Sequence, residues 1–186
     1  PRIDKELLEK YHEDLIICSA CIGGEIPQHI LNGRMDKAEE SVLWFKNLFG
    51  EDYYLEIQRH ETHDPNAAQD VYPHQVTANK AILELARKHN IKVIATNDVH
   101  FVNAEDAEAH DRLICLSTGK DLDDPNRMRY TKQEWMKTTA EMNTIFSDIP
   151  EALSNTLEIA DKVEFYSIDH GPIMPTFAIP EDFGTE

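Results

Sequence analysis

The sequence predicts an α/β fold: a short parallel sheet wrapped by helices, followed by an α-helical stretch. Three observations carry this. Apolar, β-branched runs alternate with segments of helical periodicity over the first two-thirds of the 186 residues. Strand–helix–strand order marks parallel pairing, because a parallel neighbour is reached only through a crossover. Only three runs read as strands, too few to close a barrel, so a barrel built from this chain is partial.

The elements follow in order. "PRIDKELLEKYHED" opens in helical periodicity. "DLIICSACIG" is a strand that enters a tight turn at Gly23-Gly24. "EIPQHILNG" is a short helix stopped by Gly33, and "MDKAEESVLWFKNLFG" is a helix with Ala38, Val42, Phe45 and Leu48 inward, stopped by Gly50. "DYYLEIQRH" alternates as a strand. After the polar loop "HDPNAAQDVYP", "HQVTANKAILELARKHN" is a helix with Val76, Ile82, Leu85 and Ala86 inward. "IKVIATNDVHF" is the third strand. "NAEDAEAHDRLICLSTGK" is a helix capped by Asn103 and closed by Gly119. Beyond residue 120, "DLDDPNRMRYTKQEWMKTTAEMNTIF" and "IPEALSNTLEIADKV" read as helices, and the Pro-rich "GPIMPTFAIPEDFGTE" as an extended linker.

Composition narrows the function classes. With 41% hydrophobic and 28% charged residues, the chain builds an ordinary core. No apolar run approaches the roughly 20 residues that span a bilayer, and no signal peptide is visible at the start. Eighteen basic residues against 35 acidic ones leave a formal charge of −17, which repels phosphate backbones and anionic lipid but suits divalent cations. Three cysteines without a secretory signal point to a reduced, cytoplasmic setting. The start without Met suggests a piece of a longer protein, although Met removal before Pro gives the same start.

Chemistry gathers at strand ends. Residues i and i+2 share a strand face, so Thr96, Asp98 and His100 are expected together, as are Tyr54, Glu56, Gln58 and His60. The C-terminal ends of parallel strands are where active sites are built. Asp-x-His there offers a carboxylate oxygen and a neutral imidazole to a divalent metal. Spacing alone does not decide this, since Asp98 can equally cap a turn and His100 can lie on the surface. Cys21, before the Gly-Gly turn, sits at the same level and would be a soft third ligand, or else an inert core thiol. Alternation separates Cys18 from Cys21, so "CSAC" is a poor redox pair, and Cys115 belongs to a helix core. His60, with Glu56 and Gln58, is expected either to contact a ligand or to orient a neighbour. The remaining histidines, His110 among them, read as solvated.

"SACIGGEIPQHILNG", "YYLEIQRH", "VIATNDVHF", "EDAEAHDRLICLSTGK" and "DIPEALSNTLEIADKV" together resemble the N-terminal region of the α (catalytic) subunits of bacterial DNA polymerase III. The match covers nearly the whole chain with its motifs in order. It implies a partial distorted βα barrel of the polymerase and histidinol phosphatase (PHP) type in residues 1–120. Residues 121–186 would be a helical connector leading toward the polymerase palm.

The resemblance also implies ligands. The family's Asp-x-His motif falls on Asp98 and His100, and a position filled by His or Cys falls on Cys21. The family's His-x-His pair and further Asp, His and Glu ligands are missing from this chain and are expected upstream of Pro1, so the site is incomplete here. Zinc or manganese is the implied PHP metal, and magnesium serves the polymerase. The palm aspartates are expected downstream, so this chain contains no polymerase catalytic residue and is expected to be inactive alone. The implied partners are DNA, dNTPs, a proofreading exonuclease subunit and the sliding clamp. The implied PHP role is either a 3′–5′ exonuclease or a scaffold for polymerase and proofreading subunit. The competing readings are a free-standing metal-dependent phosphoesterase of the histidinol phosphatase type and a non-catalytic interaction module. A half-barrel with a bare strand edge is further expected to self-associate.

Overall fold

The computed structural model describes residues 2–176, so the end of the segment read as an extended linker lies outside the described residues. Asp4 caps α1 (Lys5–Lys10), its carboxylate accepting from the Leu7 amide at 2.9 Å. The chain then enters β1 (Ile17–Cys18), passes through α2 (Glu25–Leu31) and α3 (Met35–Phe49), and returns as β2 (Tyr53–Ile57). Next, α4 (Val71–His89) crosses over to β3 (Val93–Ala95). The three strands pair in parallel in the order β1-β2-β3, as strand–helix alternation predicts.

The central strand organises the core. Tyr53, Tyr54, Leu55 and Ile57 of β2 are buried, and Tyr53, Leu55 and Ile57 lie in one apolar cluster with Ile26 of α2, Ala38 and Val42 of α3, and Ile82 and Leu85 of α4. Burying a side chain of this size stabilises by about 1.5–3 kcal/mol relative to leaving it in water. On α4 the expected inward residue Val76 is instead half-exposed, and polar Gln75 and Asn79 turn inward. They do so because they have partners: Asn79 Nδ2 donates to the Gln58 carbonyl at 2.8 Å, and Gln75 bonds His60.

After β3, a capping box at Asn103 starts a 3-10 turn (Ala104–Asp106) that runs into α5 (Ala107–Thr118). Gly119 closes α5 in the left-handed conformation (φ 64°), as its position predicts. Two further helices, α6 (Thr139–Ile145) and α7 (Pro150–Lys162), follow. Phe146, Ile149 and Ala152 join the core, and α7 packs on β3. Asn155 of α7 donates to the Val93 carbonyl at 2.8 Å, satisfying an acceptor on the edge of β3 away from β2.

Two expectations are corrected. The strands are shorter than their apolar runs, and β3 stops at Ala95 rather than reaching His100. Residues 120–137 are irregular rather than helical. Residues 97–101 leave β2 and bond to residues 133–136, which ends β3 and keeps 133–136 out of a helix, while residues 121–127 close on themselves in turns (Asp124 amide to the Asp121 carbonyl, 3.1 Å). Asn97 Nδ2 donates to the carbonyls of Gln133 (2.9 Å) and Trp135 (2.7 Å). The His100 amide donates to the Glu134 carbonyl at 2.8 Å, and Phe101 forms a parallel bridge with Trp135.

Candidate metal centre

The C-terminal ends of the three strands are tied together by side chains. Ser19 Oγ, just past β1, accepts from the Glu56 amide at 2.8 Å. Gln58 Nε2 donates to Glu56 Oε1 at 2.9 Å and to Thr96 Oγ1 at 3.0 Å, and the Thr96 hydroxyl donates to the Glu56 carboxylate. Glu56, Gln58 and Thr96 thus meet on one face, as period-2 alternation requires. A cavity of about 10 Å³, room for roughly a single water, lies among Cys21, Glu56, Gln58, Gln75 and Asn79.

Cys21 sits in the turn after β1, half-buried, and its carbonyl accepts from the Gly24 amide at 2.8 Å. That turn needs glycine: a Cβ at Gly24 would lie 2.4 Å from the Ser19 carbonyl oxygen. Cys18 faces a different environment, where burial and the Glu56 carboxylate push its thiol up to about 11. All three cysteines are free.

Asp98 and His100 do not share a strand face, because the strand has already ended. Asp98 adopts the left-handed conformation (φ 45°), a region open to Asp and Asn but closed to most side chains. His100 Nδ1 lies 2.6 Å from the Asp98 carbonyl oxygen. A carbonyl only accepts, so the proton sits on Nδ1 and the Nε2 lone pair is free. That is the arrangement of a metal-binding imidazole steadied through its other nitrogen. Both side chains are exposed, and neither the Asp98 carboxylate nor His100 Nε2 has a hydrogen bond among the described residues. The donor chemistry therefore fits a divalent cation. Among the described residues, no three His, Cys, Asp or Glu side chains are grouped so as to hold a metal ion, so Cys21 does not join Asp98 and His100 in one cluster.

His60 is corrected in position. It leaves the Glu56–Gln58 face after β2 ends and turns into the interior, 2% exposed. Its backbone amide donates to Gln75 Oε1 at 2.7 Å, so the Gln75 amide nitrogen, 3.1 Å from Nδ1, must be the donor there. Nε2 in turn donates to the Asn97 carbonyl at 3.2 Å. Both ring nitrogens are thereby used, which leaves none for direct coordination. Burial holds His60 below the ordinary imidazole range, so its 3.8 Å approach to Glu134 is not an ion pair.

Several residues at the site give no signal in the sequence. Tyr130 packs at a tilt against His100 and edge-on against His110, with ring centroids 4.7 and 5.0 Å away. Burial raises its phenol, and the negative charges of Asp98, Glu134 and Cys21 raise it further, so Tyr130 lies in the field of both Asp98 and Cys21. His110 is not simply solvated: it stands 5.5 Å from the His100 ring, and burial and that neighbour hold it below its usual range. Glu134 is buried, its Oε1 accepting from the Thr131 amide (3.0 Å) and hydroxyl (2.6 Å), while its Oε2 has no partner. These residues lie 30 or more positions from Asp98 or inside a stretch that reads as helix, so no local pattern marks them.

Comparison with known proteins places these features in a wider setting. Residues 1–60 match the model of the PHP domain. The whole chain aligns with the DNA polymerase III subunit alpha of Borreliella burgdorferi at 44% identity over 187 residues, which is 15% of that protein. It aligns with that of Campylobacter jejuni at 38% over 197 residues, 16% of that protein. The counterpart from Thermus aquaticus is 38% identical over 86% of this chain and 13% of its own length. The chain thus spans about a seventh of the length of these relatives.

Proposed function

We propose that this chain, which aligns along its length with a segment of DNA polymerase III alpha subunits and matches the PHP domain over residues 1–60, belongs to that family and serves a replicative DNA-directed DNA polymerase. In this reading, residues 1–120 are the later part of the PHP domain and residues 121–186 lead toward the palm. Nucleotidyl transfer, with its magnesium, DNA and dNTPs, belongs to the larger protein, as do contacts with a proofreading subunit and a sliding clamp. No helix among the described residues is long and apolar enough to cross a membrane.

The PHP part is proposed to bind a divalent metal, zinc or manganese, through Asp98 and His100, with Cys21, which the described residues do not gather with them, as a further candidate donor. The observation that carries this is the His100 tautomer: its Nδ1 proton is committed to the Asp98 carbonyl, and its Nε2 lone pair is left free, two residues from the exposed Asp98. Bound metal supplies an activated water and charge stabilisation at a phosphodiester. The chain's own residues orient the donors: the Asp98 carbonyl fixes the imidazole, and residues 133–136 hold the loop that carries both.

Metal analysis combined with a 3′–5′ exonuclease assay tests the reading. Asp98→Asn is expected to lower bound zinc or manganese and exonuclease activity together. If the substitution changes neither, the exonuclease role fails and the PHP part is a scaffold for the polymerase and its proofreading partner.

A further inference from the structure

The metal reading leaves unexplained why a histidine, a glutamine and an asparagine are buried behind the Asp98 loop. Buried polar side chains are costly unless bonded, and these three are bonded to one another in sequence. The order is fixed by chemistry at each step. The His60 amide donates to Gln75 Oε1, so Gln75 Nε2 donates to His60 Nδ1. His60 Nε2–H then donates to the carbonyl of Asn97, the residue before Asp98. The Asn97 side chain completes the path by donating both of its N–H bonds, to the Gln133 and Trp135 carbonyls. These residues are 1–8% exposed, so water does not compete for the bonds.

The path ends on a strained residue. Asp98 holds φ 45°, a conformation that persists only where its surroundings impose it. On one side, Asn97 is gripped through its carbonyl by His60 and through its amide by residues 133 and 135. On the other, the His100 amide is gripped by the Glu134 carbonyl at 2.8 Å. Asp98 is therefore clamped at both flanks.

We propose that His60 and Gln75 are positioning residues for metal binding: the Gln75–His60–Asn97 relay presets the Asp98 backbone so that its carboxylate and the His100 imidazole face a cation together. His60 touches neither metal nor substrate and acts through Asn97. The inference rests on the proposed metal reading. It adds a role for Gln75 and Asn97 that spacing along the chain does not suggest.

The test uses the longest polypeptide that carries these residues, with cobalt(II) as the probe and its visible absorption as the readout. Nitrogen-15 NMR of histidine in the wild type is expected to place the His60 proton on Nε2. His60→Leu and Gln75→Leu are expected to weaken cobalt binding by about 10–100-fold and to alter the cobalt spectrum. His60→Gln, whose terminal amide reproduces the Nε2 donor, is expected to restore most of the affinity. Circular dichroism identifies the variants that fold. A wild-type His60 protonated on Nδ1 overturns the proposal. So does a folded His60→Leu protein that binds cobalt as the wild type does. A wild type that binds no cobalt overturns the metal reading itself, and this result is distinct from both.

Discussion

His100 donates its Nδ1 proton to the carbonyl oxygen of Asp98, two residues back, at 2.6 Å. The bond joins the two candidate ligands through backbone rather than through their donor atoms. Charge and backbone strain at Asp98 can therefore be separated. Asparagine tolerates φ 45° nearly as well as aspartate. Asp98→Asn should keep stability within about 0.5 kcal/mol while reducing cation binding. Asp98→Val should lose both, with a strain cost of about 1–2 kcal/mol. Thermal unfolding alongside a metal titration reads the two effects independently.

Arg127 and Asp111 form a bidentate pair, Nη1 to Oδ1 at 2.6 Å and Nη2 to Oδ2 at 2.7 Å, with both residues 9% exposed. The pair fastens the irregular segment after α5 back onto that helix. Removing one partner strands the other charge, so Arg127→Met should destabilise by about 3 kcal/mol. Arg127→Met combined with Asp111→Leu should cost less than the single change. A double-mutant cycle by urea unfolding checks both.

Gly24→Ala should destabilise by about 1–3 kcal/mol, because its Cβ would meet the Ser19 carbonyl oxygen at 2.4 Å and the Cys21 carbonyl oxygen at 3.1 Å. The obstacle is backbone and cannot rotate aside. Gly33→Ala makes a useful comparison: nothing lies near its Cβ, and only its φ of 71° opposes the change. Chemical denaturation should rank Gly24→Ala as the more damaging substitution.

Lys137 provides a pH signature. Burial lowers its ammonium to about 8, against the attraction of Glu134 and Glu141, and it sits 4.3 Å over the Trp135 ring. Its unfolded value is 10.5. Between these values the unfolded chain holds more protons, so this group makes stability rise with pH across that window. Below about 8 its burial cost is fully present, and above 10.5 it is gone. Lys137→Met should flatten that rise in a series of urea midpoints taken between those limits.

The unpaired side of the sheet gives the last prediction. Among the described residues, β1 pairs only with β2, so one of its edges is open. The isolated chain is expected to self-associate as concentration rises. A sedimentation series that stays monomeric throughout would refute this.

Local pattern made much of this molecule legible. The glycines at 33, 50 and 119 stop their helices, Asn103 starts α5, and alternation in β2 brings Glu56 and Gln58 to Thr96. Alternation failed at His60 and Asp98 because it holds only while the strand lasts. Strand length is set by pairing partners, which the apolar run does not encode. The 120–137 segment departs from its helix-like periodicity for a related reason: backbone groups of residues 133–136 are taken by residues 97–101, and residues 121–127 close on themselves in turns.

The sequence by itself determined the parallel α/β order, the glycine stops at 33, 50 and 119, and the candidate donors Cys21, Asp98 and His100, because these follow from neighbours a few residues apart. Tertiary structure alone decided that His60 is buried with both ring nitrogens bonded, that Asp98 takes a left-handed φ, and that Tyr130 and Glu134 lie beside His100. Those outcomes depend on hydrogen-bond partners some 15 to 40 residues away, and such partners exist only once the chain has closed on itself.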